Sequence, residues 1–287
     1  MKKIIFLSAV LALVISYPSV AQLNFPHASP DAELRQQVGF TDVVIKYSRP
    51  GAKGRKIFGS LIPFGELWRT GASDATTIHF SDSVQLNGNT IPKGTYSLFT
   101  IPDKEEWTII LNKDTAMHGA SNYTKDLDLL RFKVKPEVAP RFYETFTIEV
   151  NDIIKESASV YLVWENIQVK LNLRTNADDK IMAEIHDRII KGKEDKPNLY
   201  YQASLYYFNN DKDLNTALAW IKTANKKGDE VMYFQLQAKI EAALGSYTQA
   251  IKTAETSSRL AKEKKLDQVV TANQKLIDEW KGKSATK

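Results

Sequence analysis

The chain has 287 residues, of which 43% are hydrophobic and 25% are charged, a composition typical of a globular protein with one large domain or two small ones. Its formal net charge is +5, and +3 without Lys2 and Lys3, which is too small to indicate a nucleic-acid partner. The chain has no cysteine, which excludes disulfides and a lipid-anchor cysteine.

Residues 1–21 have the pattern of a secretory signal peptide. Lys2 and Lys3 precede a largely apolar run from Ile4 to Ile15, and Ser19-Val20-Ala21 provides small residues before Gln22. The alternative is a membrane anchor, but a spanning helix needs about 20 apolar residues. We therefore expect a soluble periplasmic or secreted protein with no membrane span after signal cleavage.

Residues 22–175 are predicted to form an antiparallel β-sandwich or barrel. Residues 22–40 are polar and contain Pro26 and Pro30, which indicates a segment lying along the surface. After it, alternating apolar residues and turn signals predict strands at 41–48, 76–80, 95–101, 106–112, 129–135, 142–150, 159–164 and 167–173, with a hairpin at 84–91. A parallel sheet would need crossover helices, and no helical pattern intervenes.

The segment from Tyr47 to Thr76, the arginine loop, contains three arginines, five glycines and two prolines without a helical or strand period. Arg49, Arg55 and Arg69 are the basis of a predicted ligand site, because a guanidinium presents a planar fork to carboxylate or phosphate. Tyr47 and Trp68 are predicted to flank that site as stacking surfaces. The alternative is that the arginines pair with acidic residues and fix the loop to the sandwich.

Helical periodicity starts near residue 176. Ile181, Ile185 and Ile189 form an apolar stripe in a predicted linker helix, residues 176–195. Residues 196–287 are predicted to form a helical domain with helices at 199–208, 214–226, 230–244, 247–264 and 266–280. Alanines recur at spacings of 33 (Ala217 and Ala250) and 35 (Ala203 and Ala238), close to the period of 34 in a tetratricopeptide repeat. The alternative is an ordinary helical appendage with chance alanine spacing.

The N-terminal domain resembles the bacterial family catalogued as domain of unknown function 2911. The similarity covers roughly residues 27–173 and consists of short motifs in a fixed order, followed by Trp107: Tyr47-Ser-Arg-Pro50, Gly54-Arg55, Ile57-Phe58-Gly59, Pro63, Gly65, Trp68-Arg-Thr-Gly-Ala72 and Gly94-Thr-Tyr96. The resemblance implies an exported protein, in some members with a tetratricopeptide-like tail, and implies no established activity. Ser73-Asp74 stands where relatives often have Asn-Glu, which weakens a nucleophilic role for Ser73.

Other site chemistries have less support in the sequence. Four histidines without cysteine or HExxH spacing do not predict a zinc site, and we expect no metal and no cofactor. Ser73, Asp74 and His79 lie close together in sequence, but no nucleophile-elbow pattern surrounds Ser73. Trp107 and Trp164 lie on predicted strands and are expected in the core.

These patterns favour an exported binding or scaffold protein over an enzyme. We expect the β domain to bind an anionic or carbohydrate-like ligand at the arginine loop, and the helical domain to bind a protein or peptide. The alternative is a hydrolase acting on an envelope or extracellular substrate. An acid/base pair beside the arginines would favour the hydrolase, whereas fully paired arginines would favour a scaffold.

Overall fold

The structure, a computed structural model, describes residues 25–192 and 194–284. The chain divides into two compact units between Asn176 and Ala177. The predicted signal peptide, residues 1–21, lies outside the described residues. Within the described ranges, no helix has both the length and the apolar character needed to cross a bilayer.

The N-terminal unit contains two antiparallel sheets. Its strands are β1 Asp31–Val38, β2 Thr41–Ser48, β3 Ala72–Phe80, β4 Val84–Leu86, β5 Asn89–Ile91, β6 Gly94–Ile101, β7 Trp107–Asn112, β8 Asp128–Val134, β9 Pro136–Ile154 and β10 Ser157–Thr175. One sheet has the order β1-β2-β3-β6-β7-β8 and the other β5-β4-β10-β9. The predicted antiparallel β architecture is confirmed, and the sheets do not close into a barrel.

The core lies between the two sheets and is filled by alternate residues of the strands. On β2, Val43 and Ile45 are fully buried, whereas Lys46 is exposed. Trp107 and Trp164 are 2% and 1% exposed, so their predicted core positions are confirmed. The inward positions therefore hold the sandwich together, and the outward positions of the six-stranded sheet remain available for other contacts.

Two parts of the strand prediction are wrong. Residues 31–38, predicted as a surface segment, form the edge strand β1, which pairs with β2 along its whole length. Its inward side chains include Ala32 and Leu34, too small an apolar set to make its alternation visible. The segments 159–164 and 167–173 are one strand, β10, whose register shifts around Glu165, a residue with φ of +52°.

The C-terminal unit is helical. It contains α1 Ala177–Ile185, a π-helical segment His186–Ile190, α2 Pro197–Asn209, α3 Leu214–Lys227, α4 Val231–Ala243, α5 Tyr247–Glu263 and α6 Asp267–Ser284. Ile185 and Ile189 are buried in one cluster with Ile181 packed against it, which confirms the predicted stripe. The helix α4 is buried on most sides, and its Glu241, 1% exposed, accepts hydrogen bonds from Gln237 and Thr253.

Candidate functional site

The arginine loop joins β2 to β3 of the six-stranded sheet, and its predicted ends, residues 47–48 and 72–76, belong to those strands. The loop is hydrogen bonded to both sheets. Near its start, the Ala52 amide donates to the Glu144 carbonyl of β9 in the four-stranded sheet (2.6 Å). Near its end, Trp68 and Thr100 of β6 in the six-stranded sheet exchange two backbone hydrogen bonds (2.8 and 2.9 Å). Because these bonds lie at both ends, the loop is a fixed part of the sandwich, and its side chains have defined environments.

Tyr47 and Trp68 belong to the core, which corrects the expectation that they flank a ligand as stacking surfaces. Tyr47 is 7% exposed, and its hydroxyl accepts a hydrogen bond from the Ile148 amide (3.0 Å). Trp68 is 5% exposed, stacks on Trp164 and donates its indole N–H to the Gly71 carbonyl (2.9 Å). Neither ring offers an open face, so a stacking role would need a rearranged core.

Arg49 and Arg55 have internal partners, but these are not the acidic residues considered in the sequence analysis. Arg49 donates to the Phe146 carbonyl (3.2 Å) and to the Thr147 hydroxyl (2.9 Å), both on β9. Arg55 donates to the carbonyls of Ala52 (3.0 Å) and Gly51 (2.8 Å) within the loop itself. These two guanidiniums therefore stabilise the loop and its attachment to β9.

Arg69 differs from the other two arginines. Its Nε is buried and has no hydrogen-bond partner, and no salt bridge to Arg69 is found among the described residues. The guanidinium lies against Gly119, where a Cβ atom would come within 2.9 Å of Nη1. A buried charged donor without a partner is destabilising, and such a group calls for a structural or functional explanation.

The backbone around Arg69 adopts unusual conformations. Thr70 and Ser73 both have φ of +55°, a region that side-chain-bearing residues seldom occupy, β-branched ones least of all. Hydrogen bonds of Thr70 Oγ1 to Thr100 Oγ1 (3.2 Å) and of Thr76 Oγ1 to the Thr70 carbonyl (2.6 Å) hold this turn. Strain maintained in this way is common at functional sites.

The turn places Asp74 beside His118. The two residues form an isolated β-bridge, and His118 Nδ1 lies 2.5 Å from the Asp74 carboxylate. His118 is on the segment 113–124, the covering loop, next to the Gly119 that contacts Arg69. Both side chains are largely exposed, 87% for His118 and 70% for Asp74. An acid/base pair in a cleft beside the arginines would favour an enzyme, but this pair is largely exposed; Arg69 lies against Gly119, the residue after His118.

Sequence reasoning missed His118 as the partner of Asp74. It considered Ser73, Asp74 and His79 because they are close along the chain, but His79 instead pairs with the Thr95 hydroxyl (2.8 Å). The Asp74–His118 pair joins residues 44 positions apart, and no local motif marks it.

The covering loop packs on the outer face of the six-stranded sheet. Its Met117 is buried in a small apolar cluster with Phe99 and Ile110, and Tyr123 packs against the same cluster. Burial, together with a hydrogen bond to Asp128, raises the pKa of Tyr123 to about 12. These contacts fix the loop that carries His118 and Gly119.

An open groove of about 440 Å³ lies on the same outer face, between strands β1 to β3 and Thr115 of the covering loop. Its polar lining includes Asp31, Glu33, Lys46, Ser48, Asp74 and Thr77. The Asp74 carboxylate therefore belongs both to the His118 pair and to the groove. Among the described residues, no group of three or more histidine and acidic side chains is arranged to hold a metal ion.

Comparison with known proteins places the N-terminal unit in a family. No curated protein and no solved structure matches the chain. The family model described as "Protein of unknown function (DUF2911)" matches residues 29–173, which include the arginine loop, Asp74 and His118. The match does not extend to the helical unit, so its tetratricopeptide-like character stays a prediction. Because the matched region is half of the chain, the protein belongs to the DUF2911 family.

Proposed function

We propose that the β domain is a ligand-binding domain that holds an anionic group at Arg69. The observation that supports this is the contrast among the three arginines: Arg49 and Arg55 each make two hydrogen bonds, while the buried Nε of Arg69 makes none. Arg69 as a whole is partly exposed, and a carboxylate, phosphate or acidic sugar at its guanidinium would balance the charge. The proposed ligand site is therefore centred on Arg69 and does not include Arg49 and Arg55.

Gly119 contributes to the proposed site by its lack of a side chain. The contact between Gly119 and Arg69 Nη1 leaves no room for a Cβ atom unless the guanidinium moves. His118, the preceding residue, adds imidazole donors that an anion would meet when the ring is protonated. Asp74 opposes this effect, since its carboxylate repels an anion, and we expect the preferred ligands to approach on the side of Arg69 away from Asp74.

The sequence supports a wider proposal about export and about the helical unit. We propose an exported protein, on the pattern of residues 1–21, whose helical unit binds a protein or peptide. In this proposal the β domain binds the anionic or carbohydrate-like ligand, and the helical unit binds the partner protein or peptide.

The anion proposal is tested by calorimetric titration with inorganic phosphate and with acetate at low salt. We expect Arg69→Gln to weaken binding at least about tenfold, which corresponds to about 1.4 kcal/mol, and Arg55→Gln to leave it unchanged. A matched glycine pair provides a second test. Gly119→Ala and Gly65→Ala impose the same backbone strain, with φ of +79° and +78°, but the added Cβ meets Arg69 only at Gly119. Equal anion affinity in the two glycine variants would contradict the proposal.

The second candidate function is a hydrolase, and the Asp74–His118 pair favours it. An aspartate on Nδ1 orients an imidazole so that Nε2 can act as a base toward water. The Arg69 guanidinium lies against Gly119, the residue after His118, and would be the group to stabilise an oxyanion. We place the hydrolase second because the side chains of Asp74 and His118 are both largely exposed. Hydrolysis of 4-nitrophenyl acetate or 4-nitrophenyl phosphate that His118→Ala abolishes would establish it, and equal rates in wild type and variant would exclude it.

A further inference from the structure

Strand β1 lies at one end of the six-stranded sheet, and only one of its two edges is paired. It pairs with β2 over its full length in one register without a bulge. On its other edge, no strand within residues 25–192 or 194–284 pairs with it. Alternate backbone N–H and C=O groups of β1 therefore point away from the sheet and can hydrogen bond to an added strand.

The other three edge strands have features that disfavour such pairing, and β1 does not. The edge strand β5 has only three residues, and β9 begins with Pro136 and contains Pro140. The strand β8 bears Arg131 and Lys133 on one face, so two copies of it would bring like charges together. In contrast, β1 has eight residues and contains neither proline nor glycine. Short length, proline and like charges are common means of protecting a sheet edge.

The charges on β1 are complementary to a second copy of the same strand. Asp31, Glu33 and Arg35 are exposed on one face, and Leu34 lies on the other face, partly buried against the core. Opposite residues of an antiparallel pair lie on the same face. When Leu34 lies opposite Leu34 of a second copy, Glu33 lies opposite Arg35 and Arg35 lies opposite Glu33. Asp31 then lies opposite the uncharged Gln37, so no like charges meet.

Neighbouring registers are less favourable. A shift by two residues in one direction places Glu33 opposite Glu33, and the same shift in the other direction places Arg35 opposite Arg35. Like charges directly opposite each other destabilise a strand pair. A shift by one residue would place the charged face of one strand opposite the apolar side of the other. One register therefore combines nearly complete overlap of the two strands with opposite charges across the interface.

We propose that β1 is a dimer interface at which two copies of the chain join edge to edge, with a two-fold axis at Leu34. A two-fold interface repeats each contact, so it contains the Glu33–Arg35 pair twice. Arg35 forms no salt bridge among the described residues. Glu33 pairs with Lys46 (3.3 Å), but both side chains are more than half exposed, and such a pair contributes little. Both Glu33 and Arg35 can therefore bind across the interface. The inference goes beyond the anion proposal and does not depend on it, because no residue of the arginine loop takes part in the interface.

The experiment is sedimentation-velocity ultracentrifugation of the full chain at low salt over a series of protein concentrations. We expect the wild type to change from monomer to dimer as the concentration rises. Glu33→Arg and Arg35→Glu should each raise the dissociation constant of the dimer at least about tenfold, because each turns two attractive cross-strand pairs into two repulsive ones. An equimolar mixture of the two variants should dimerise like the wild type, since every pair across the mixed interface joins opposite charges. The control Glu105→Arg reverses an exposed charge outside β1 and should leave dimerisation unchanged.

The inference is overturned if the wild type stays monomeric up to about 1 mM. It is also overturned if either variant alone dimerises as tightly as the wild type, or if the mixture of two folded variants stays monomeric. Circular dichroism checks the folding of each variant. If a variant does not fold, hydrogen–deuterium exchange of the wild type decides the question. The backbone amides of β1 should exchange more slowly at high than at low protein concentration, and exchange there that is independent of concentration would contradict the dimer.

Discussion

Replacing Trp68 by phenylalanine tests whether this residue stabilises the core or binds a ligand. The indole stacks on Trp164 with ring centroids 5.8 Å apart, and it contacts Phe146 edge-on at 5.0 Å. Phenylalanine removes the donor to the Gly71 carbonyl, which costs about 1–3 kcal/mol when the acceptor stays buried. The smaller ring leaves a void that adds about 1 kcal/mol. We therefore expect a loss of about 3 kcal/mol in the free energy of unfolding.

For a domain of this size, that loss lowers the melting temperature by roughly 6–12 °C. Thermal melting followed by circular dichroism measures the shift, and urea unfolding provides a second value. The control is Phe142→Leu on β9, an aromatic residue that is 50% exposed, for which we expect a change within about 0.5 kcal/mol. A Trp68→Phe protein that melts within about 2 °C of the wild type but no longer binds its ligand would refute the assignment of Trp68 to the core.

Three further predictions concern export, domain independence and alkaline stability. Mass spectrometry of protein from the native host should find Gln22 at the N-terminus, and an intact Met1 would rule out cleavage after Ala21. A fragment ending at Asn176 should fold alone, because its two sheets supply both sides of one core; aggregation of the fragment beside a soluble full chain would contradict this. The pKa of Tyr123 is about 12 in the folded protein against an ordinary value of 10, so the unfolded chain loses this proton first, and stability should fall as the pH rises from 10 to 12. Tyr123→Phe should reduce that slope in urea unfolding at each pH, and an unchanged slope would show that Tyr123 does not contribute.

The strands could be predicted because half-buried strands alternate apolar and polar residues. On β2 the inward Val43 and Ile45 alternate with outward positions, and the prediction of residues 41–48 matches the observed bounds. On β1 the inward positions start with Ala32 and Leu34, while Asp31, Glu33 and Arg35 are exposed. An edge strand covered on one side only needs few large apolar residues, and for that reason the sequence pattern is weak there.

The candidate site could be predicted only in part, because the partners of its side chains lie far away along the chain. Arg49, Arg55 and Arg69 are the same residue type within one loop, yet two of them donate to backbone carbonyls and the third has a buried Nε without a partner. Backbone carbonyls are present at every position, so no sequence pattern distinguishes these cases. The pairing of Asp74 with His118 likewise depends on how the covering loop packs on the sheet.

The central proposal is that Arg69, rather than Arg49 or Arg55, holds the anion, and the Arg69 Nε–H is the most direct probe of it. Nuclear magnetic resonance of protein labelled with ¹⁵N-arginine resolves the Nε–H signals during a titration with inorganic phosphate. We expect the Arg69 signal to shift and saturate, while the Arg55 signal, already hydrogen bonded to the Ala52 carbonyl, stays in place. An Arg69 signal that does not move at saturating phosphate, or equal shifts at all three arginines, would contradict the account.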